Sequence, residues 1–250
     1  MYRFLTIASF FWLTAAAVSL PASSVLIGDS TTSISMGWGN GFCGNEDAGI
    51  RGSLEPKTPC FNTAVPSTST GTFVSKGHWK KSVKIIKEEV AKARRTIVTI
   101  QFGHNDRNRG TVESMGRNLT TMVNQIKELK AEPVLVTPLV IRRFGKDGKI
   151  ADELAPWAEE TKTVARETKT HILDLHGASL KYCESLGDEA SRRLYSGTGA
   201  VHVNNKGKIV FGRMVADLMN ADFGLLGINL LPIVPNRELS YNISHGIPSY

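Results

Sequence analysis

The sequence predicts an α/β protein, a parallel sheet wound in three layers with helices on both faces. Short β-branched or apolar runs alternate with amphipathic helical patterns along most of the chain. Such alternation argues for a parallel sheet covered on both sides. Right-handed crossovers then make the fold doubly wound. The 250 residues, 41% hydrophobic and 21% charged, suit one domain with an ordinary core, and no internal repeat or low-complexity linker divides them.

The elements follow in order. Val25-Leu26-Ile27 reads as a strand ending at Gly28. Trp79, Val83, Ile86, Val90 and Ala93 fall at steps of three and four and give a helix with one apolar stripe. Thr96 to Phe102 is a strand, and Met115, Leu119, Met122, Ile126 and Leu129 repeat the helical stripe. Pro133 to Thr137 returns to strand, Asp152 to Thr168 is helical, and Ile172 to Leu175 is a last short strand. Ser179 to Leu186 and Lys206 to Met219 close the pattern as helices.

The chain begins as an exported protein does. A short basic start, Met1-Tyr2-Arg3, precedes the apolar stretch Phe4 to Leu13 and the small residues Thr14-Ala15-Ala16-Ala17. Cleavage is expected after Ala17 or Ala22, and the apolar segment is too short for a stable membrane anchor. The expected organisation is a leader over residues 1–22, a folded domain over 23–222 and a tail over 223–250 that packs back on the domain. A secreted monomer is expected. Asn118-Leu119-Thr120 and Asn242-Ile243-Ser244 are glycosylation sequons in that setting. Of the three cysteines, Cys43 and Cys60 flank a loop with little hydrophobic content that a disulfide would restrain, and Cys183 lies in a helical pattern as a buried thiol. Other pairings remain open at this point.

The formal charge of +7 favours anionic partners such as an acidic polysaccharide, or serves solubility alone. The basic residues are spread along helices and lack an aromatic-plus-basic motif, which argues against nucleic acid. No His-x-x-x-His or Cys-x-x-Cys spacing suggests a metal, and Gly28-Asp29-Ser30 lacks the spacing of a dinucleotide-binding loop, so no cofactor is expected.

In doubly wound sheets ligands gather at the carboxyl ends of the strands. Gly28-Asp29-Ser30-Thr31 follows the first strand and puts the Ser30 hydroxyl at that edge, although the tripeptide alone is equally turn chemistry. Gly103-His104-Asn105-Asp106 follows a middle strand. There the Asn105 amide is either an oxyanion donor or a helix cap. His202 precedes the last amphipathic helix, as a general base or as a capping residue. His78, His171, His176 and His245 are less well placed, and Asp174 with His176 reads as structural.

Taken together, these three sites resemble the GDSL, or SGNH, hydrolase superfamily in residue type and order, and within it the fungal rhamnogalacturonan acetylesterase-like group. The likeness runs from Val25 to Met219 and includes Gly37-Trp38-Gly39, the stretch Ile100 to Asp106, Pro133 to Leu139, Leu173 to His176 and Val210 to Leu218. It implies a flavodoxin-like sheet, Ser30 as nucleophile and His202 as base. It also implies an oxyanion hole from the N–H groups of Ser30 and Ser67 and the Asn105 side chain, with Asp29, Gly103 and His104 supporting. The expected activity is deacetylation of a pectic plant cell-wall polysaccharide. The alternatives are a catalytically impaired glycan-binding relative and an esterase for lipid or other acyl esters, the latter suggested by the apolar run Phe223 to Leu231.

Two positions depart from the family pattern. Ser67 stands where the family has glycine, which bears on backbone conformation. Gly199 stands three residues before His202, where the family has the aspartate that orients the imidazole. Asp188 and Glu189 are the nearest acids to replace it, though nothing in the spacing places them there, and a backbone carbonyl near Gly199 is the other available acceptor.

Overall fold

A computed structural model describes residues 21–197, 199–224 and 231–249, so the expected leader falls outside the described residues up to position 20, as does the tail segment 225–230. The chain order is β1 (Ala22–Gly28), α1 (Gly39–Cys43), a 3₁₀ turn (Glu46–Ala48), β2 (Cys60–Asn62), α2 (Thr70–Ser75), α3 (His78–Ala91), β3 (Arg95–Gln101), α4 (Asp106–Arg109), α5 (Val112–Glu128), β4 (Glu132–Val136), α6 (Ala155–Thr168), β5 (His171–Leu173), α7 (Leu175–Arg192), α8 (Asn205–Gly224) and α9 (Arg237–Ser244). The five strands are all parallel, in the order β2-β1-β3-β4-β5. This is the flavodoxin-like order of a doubly wound sheet.

Alternation along the strands builds the two faces. Leu26, Ile97, Val134, Val136 and Leu173 point into one core, with Phe42 of α1, Tyr182 of α7 and Phe211 of α8. Val25, Ile27, Val98, Ile100 and Leu135 point into the other, with Ile86 of α3, Leu119 of α5 and Trp157 of α6. Successive side chains of a strand face opposite ways, so each central strand feeds both layers.

Local chemistry sets the boundaries, and several differ from the sequence expectation. The α3 stripe stops at Ala91, and Ala93 lies beyond it at a φ of 55°. The α6 helix starts at Ala155, with a proline in its first turn, and not at Asp152. Asp152 is instead drawn to His176 at 2.9 Å, and Glu153 pairs with Arg107 and Arg143. Leu175 is not a strand residue: the Asp174 carboxylate accepts the Gly177 N–H at 3.1 Å and caps α7, so Leu175 is the first residue of that helix. The α7 helix breaks at Gly187, with φ 77°, just past the expected end, and resumes to Arg192. At its C-terminal end α8 runs on to Gly224, past the expected helix end at Met219.

Glu55 N–H donates to the Pro232 carbonyl at 2.8 Å, Val234 N–H to Ser53 at 2.8 Å, and Leu231 and Ile243 are buried in the first core. A disulfide joins Cys43, at the end of α1, to Cys60, at the start of β2, and Cys183 is a buried free thiol. No helix among the described residues is long and apolar enough to cross a membrane.

Helices α1 and α8 meet backbone to backbone. A Cβ at Gly212 would stand 2.2 Å from the carbonyl carbon of Gly41, and one at Gly41 would stand 1.7 Å from the Lys208 carbonyl oxygen. Backbone cannot yield as a flexible side chain does. Gly212→Ala is therefore expected to destabilise the protein by roughly 1–3 kcal/mol, read as a lower midpoint in urea unfolding. An unchanged midpoint would show that the helices can separate freely.

Candidate active site

The turn after β1 is held from every side. A Cβ at Gly28 would lie 2.6 Å from Thr32 Oγ1 and 2.7 Å from the Gln101 carbonyl, so the chain leaves the strand through a gap only glycine fits. Asp29 folds its carboxylate back. Its Oδ1 accepts the Thr31 N–H at 2.9 Å and the Thr31 hydroxyl at 2.8 Å. Gln101, the last residue of β3 and fully buried, takes the Thr32 hydroxyl at 2.6 Å, the Trp38 indole N–H at 2.9 Å and the Thr31 hydroxyl at 3.2 Å on a single Oε1. Its amide nitrogen donates to the Thr137 carbonyl at 3.2 Å, which ties the turn to the end of β4. Between these anchors Ser30 is 6% exposed.

His202 reaches the same edge from the loop before α8. Its Nε2 lies 3.0 Å from Ser30 Oγ, across 172 residues of sequence. The loop is fixed through its backbone: His202 O accepts the Ser196 N–H at 3.1 Å, Val203 N–H donates to Met36 O at 3.0 Å, and Tyr195 and Val203 form an antiparallel bridge. Partial burial, and then the Arg142 guanidinium, hold the His202 pKa below the ordinary imidazole range. The ring is thus a free base at neutral pH, with Nε2 directed at the hydroxyl.

No carboxylate of the described residues pairs with this imidazole. Asp188 is engaged with Arg192 at 2.8 Å and Glu189 with Arg193 at 3.7 Å. The carbonyl suggested near Gly199 supplies no hydrogen bond to His202 Nδ1 among the described residues either. A Cβ at Gly199 would meet nothing within 4 Å, so the position is open.

Asn105 stands at the N-cap position of α4 but spends no side-chain bond on capping. Its amide contributes instead to stabilising the Asp29 charge. Gly103 before it has φ 137°, a conformation that favours glycine, and packs beside Pro138. Asp106 is buried, accepting the Thr70 N–H at 3.0 Å and the Thr70 hydroxyl at 2.6 Å, and so joins α4 to α2. Ser67 adopts φ 61°, the left-handed conformation a glycine would take there, and its carbonyl is held by Arg109. Among the described residues no acceptor is bonded to the N–H of Ser30 or of Ser67.

His104 lies behind the serine turn with its Nδ1 3.8 Å from Asp29 Oδ2. Burial, and then Arg142 and Arg107, push His104 down to about 3, so the ring is neutral and the contact is not an ion pair. Burial outweighs the Thr31 hydrogen bonds and lifts Asp29 to about 7. The remaining histidines serve packing and caps. His176 bonds Asp152 and the Pro138 carbonyl, His171 bonds Asp222, His78 opens α3 and His245 stacks on Tyr241. Sequence reading missed two residues of this site, Gln101 and Arg142, because neither carries a local signal beyond being polar near a strand end.

The GDSL-like Lipase/Acylhydrolase family model matches residues 26–208. The chain is 30% identical over 185 residues to the rhamnogalacturonan acetylesterase RhgT of Bacillus subtilis, covering 70% of this chain and 74% of that one. Among solved structures it resembles protein YXIM of Bacillus subtilis, with TM-score 0.66 and 20% identity over 84% of this chain, although it spans only 58% of that protein. It also resembles Axe2, an acetylxylan esterase from Geobacillus stearothermophilus, with TM-score 0.54 and 16% identity over 86% of this chain and 98% of that one. With the sheet order, the serine turn and the family match in agreement, the chain belongs to the GDSL-like lipase/acylhydrolase family and is a carboxylic ester hydrolase.

Proposed function

We propose that the protein is a secreted acetylesterase for an acidic cell-wall polysaccharide of the rhamnogalacturonan type, with Ser30 as nucleophile and His202 as general base. The observation that carries this reading is the 3.0 Å approach of His202 Nε2 to Ser30 Oγ. His202 takes the hydroxyl proton as Ser30 Oγ attacks the acetyl carbonyl carbon. The N–H groups of Ser30 and Ser67 and the Asn105 amide receive the charge on the carbonyl oxygen. Collapse of the tetrahedral species expels the sugar oxygen, which takes the proton back from His202. Water then attacks the acetyl-serine as His202 takes its proton, and the departing Ser30 Oγ recovers that proton from His202, releasing acetic acid, which ionises to acetate.

The choice of substrate is supported by the RhgT relative, a rhamnogalacturonan acetylesterase, and by charge. The whole chain carries +7, and Arg107, close enough to His104 to lower its pKa, shares one carboxylate, Glu153, with Arg143, which leaves guanidinium donors in excess for a uronate. The disulfide and the basic-then-apolar start support export. If glycans are added, Asn242 is the favoured sequon, because the Asn118 amide nitrogen already donates to Thr70 Oγ1 at 2.9 Å.

The absent carboxylate favours a second reading, a cleft that holds the glycan and turns it over slowly. Loss of the triad acid costs about 10⁴ in turnover where serine proteases have been tested. Longer acyl esters are the third possibility, and much of the apolar run that suggested them, residues 225–230, lies outside the described residues.

Ser30→Ala is expected to abolish release of acetate from acetylated rhamnogalacturonan and of p-nitrophenol from the acetyl ester; activity equal to that of the parent protein would end the serine mechanism. The same assay on acetylated xylan and on longer p-nitrophenyl esters is expected to give lower kcat/KM, and preference for either would move the substrate away from pectin. Gly199→Asp is expected to raise kcat by more than tenfold, approaching part of the 10⁴ figure for a complete triad; no gain would mean that another group already does the work of the acid. Because His202 is held below the ordinary imidazole range and must be neutral to act, the acid limb of kcat/KM should fall below about 6.5. In Gly199→Asp the new carboxylate stabilises imidazolium and should move that limb to higher pH, even as the plateau rises.

A further inference from the structure

Arg142, in the segment between β4 and α6, is 1% exposed and has no carboxylate partner among the described residues. A buried cation is normally compensated by a buried anion. Here the compensation comes from carbonyls and ring faces. One guanidinium nitrogen, Nη2, donates to Val201 O and to His202 O, each at 2.9 Å, and Nη1 reaches Val140 O at 3.3 Å. The Arg142 backbone N–H donates to Ala200 O at 3.1 Å. Its Cζ lies 4.9 Å from the Tyr195 ring centroid and 5.4 Å from that of Phe211, while the Tyr195 hydroxyl donates to the Arg142 carbonyl.

Three consecutive carbonyls of the histidine loop, at residues 200, 201 and 202, are therefore bound by this one residue. We infer that Arg142 is the positioning residue for His202, holding the imidazole toward Ser30 through the loop backbone where position 199 carries no acid to hold it by the ring. The inference rests on His202 acting as the base. It assigns the orienting task to a cation, which an aspartate would otherwise perform, and that substitution has an electrostatic consequence. An aspartate favours imidazolium, whereas Arg142 opposes it. The groups facing His202 are Ser30 from the exit of β1, Arg142 from the segment after β4 and His104 from the turn after β3, and none is an anion. Around Arg142 itself stand Tyr195 and the α7 thiol Cys183, both pushed by burial to higher pKa, at about 12 and about 11, and so neutral. Arg142 thus keeps the base free and aimed, and makes its transient protonation harder.

The test uses the full chain with Arg142→Met, which removes charge and clamp, and Arg142→Lys, which keeps the charge but not the fork. Each variant is assayed for kcat and KM on p-nitrophenyl acetate, and the His202 ring is titrated by NMR. Arg142→Met is expected to lose about 10²-fold in kcat, the scale of a small misplacement of a reacting group, with KM within about threefold on the same reasoning. The His202 titration should move up toward the free imidazole value. In Arg142→Lys the titration should stay depressed while kcat still falls about tenfold, an intermediate loss for a single-point donor. A parent-like kcat in either variant, or a loss of kcat in Arg142→Met without a shift of the His202 titration, would overturn the inference. Should Arg142→Met fail to fold by near-UV circular dichroism, the kcat of Arg142→Lys decides. If Ser30→Ala and His202→Ala are inactive while both Arg142 variants match the parent, only the positioning role falls; if those two remain active, the serine–histidine reading falls instead.

Discussion

The pairing of β1 with β3 sets Gly28 directly opposite Gln101, and the site is built outward from that register. Both strands end at the same level, so the turn that carries Ser30 and the turn that carries His104 and Asn105 leave the sheet side by side. Gln101 then converts alignment into rigidity, because one buried amide binds two threonines of the serine turn, the Trp38 indole and the end of β4. A shift of one residue in the register would turn Gln101 to the opposite face of the sheet and leave those donors unsatisfied in the interior. The position of the Ser30 hydroxyl is thus a property of the strand pair before it is a property of the turn.

The histidine loop is arranged differently. It has no strand beneath it and no acid to hold its ring among the described residues, and its contacts are almost all to backbone: Ser196, Met36 and Arg142. Holding a side chain through its own main chain fixes the Cα, and among the described residues the contact of Nε2 with Ser30 then sets the ring. An active site with a carboxylate spends one ionic hydrogen bond on both orientation and charge. Here orientation is separated from charge, and the nearest full charge has the opposite sign.

The three-layer fold was legible because periodicity survives burial: four of the five strands and the helices on both faces follow from apolar spacing alone. What escaped has particular causes. Strand β2 is three half-buried residues after a proline, too short for any alternation to register. Helix α1 is glycine-rich because its backbone touches α8, so its composition resembles a loop. Helix α9 is short and mostly polar, within a stretch read only as tail. Leu175 extended an apolar run past the point where the Asp174 cap ends it. In the site, Ser30, Asn105 and His202 stood out by residue type and order, while Gln101 and Arg142 act only through buried contacts made across the fold. An arginine after a strand reads as surface charge until its burial is seen.

Ser67 and Asp29 show that this site accepts local cost for geometry. A non-glycine residue in the left-handed region costs about 1–2 kcal/mol, yet Ser67 is held at φ 61° with Arg109 bound to its carbonyl. The N–H of Ser67 is unpaired among the described residues, as is that of Ser30, which is what the proposed oxyanion hole requires. Asp29 follows the same logic. Above the pH at which a free aspartate ionises, the folded protein keeps a proton on this buried group until about 7, so its burial weakens stability progressively over that interval. The return is a carboxylate oxygen that fixes Thr31 by two bonds one residue past Ser30. The turn that carries Ser30 thus gives up some stability to hold Thr31, and with it the serine hydroxyl, in one place.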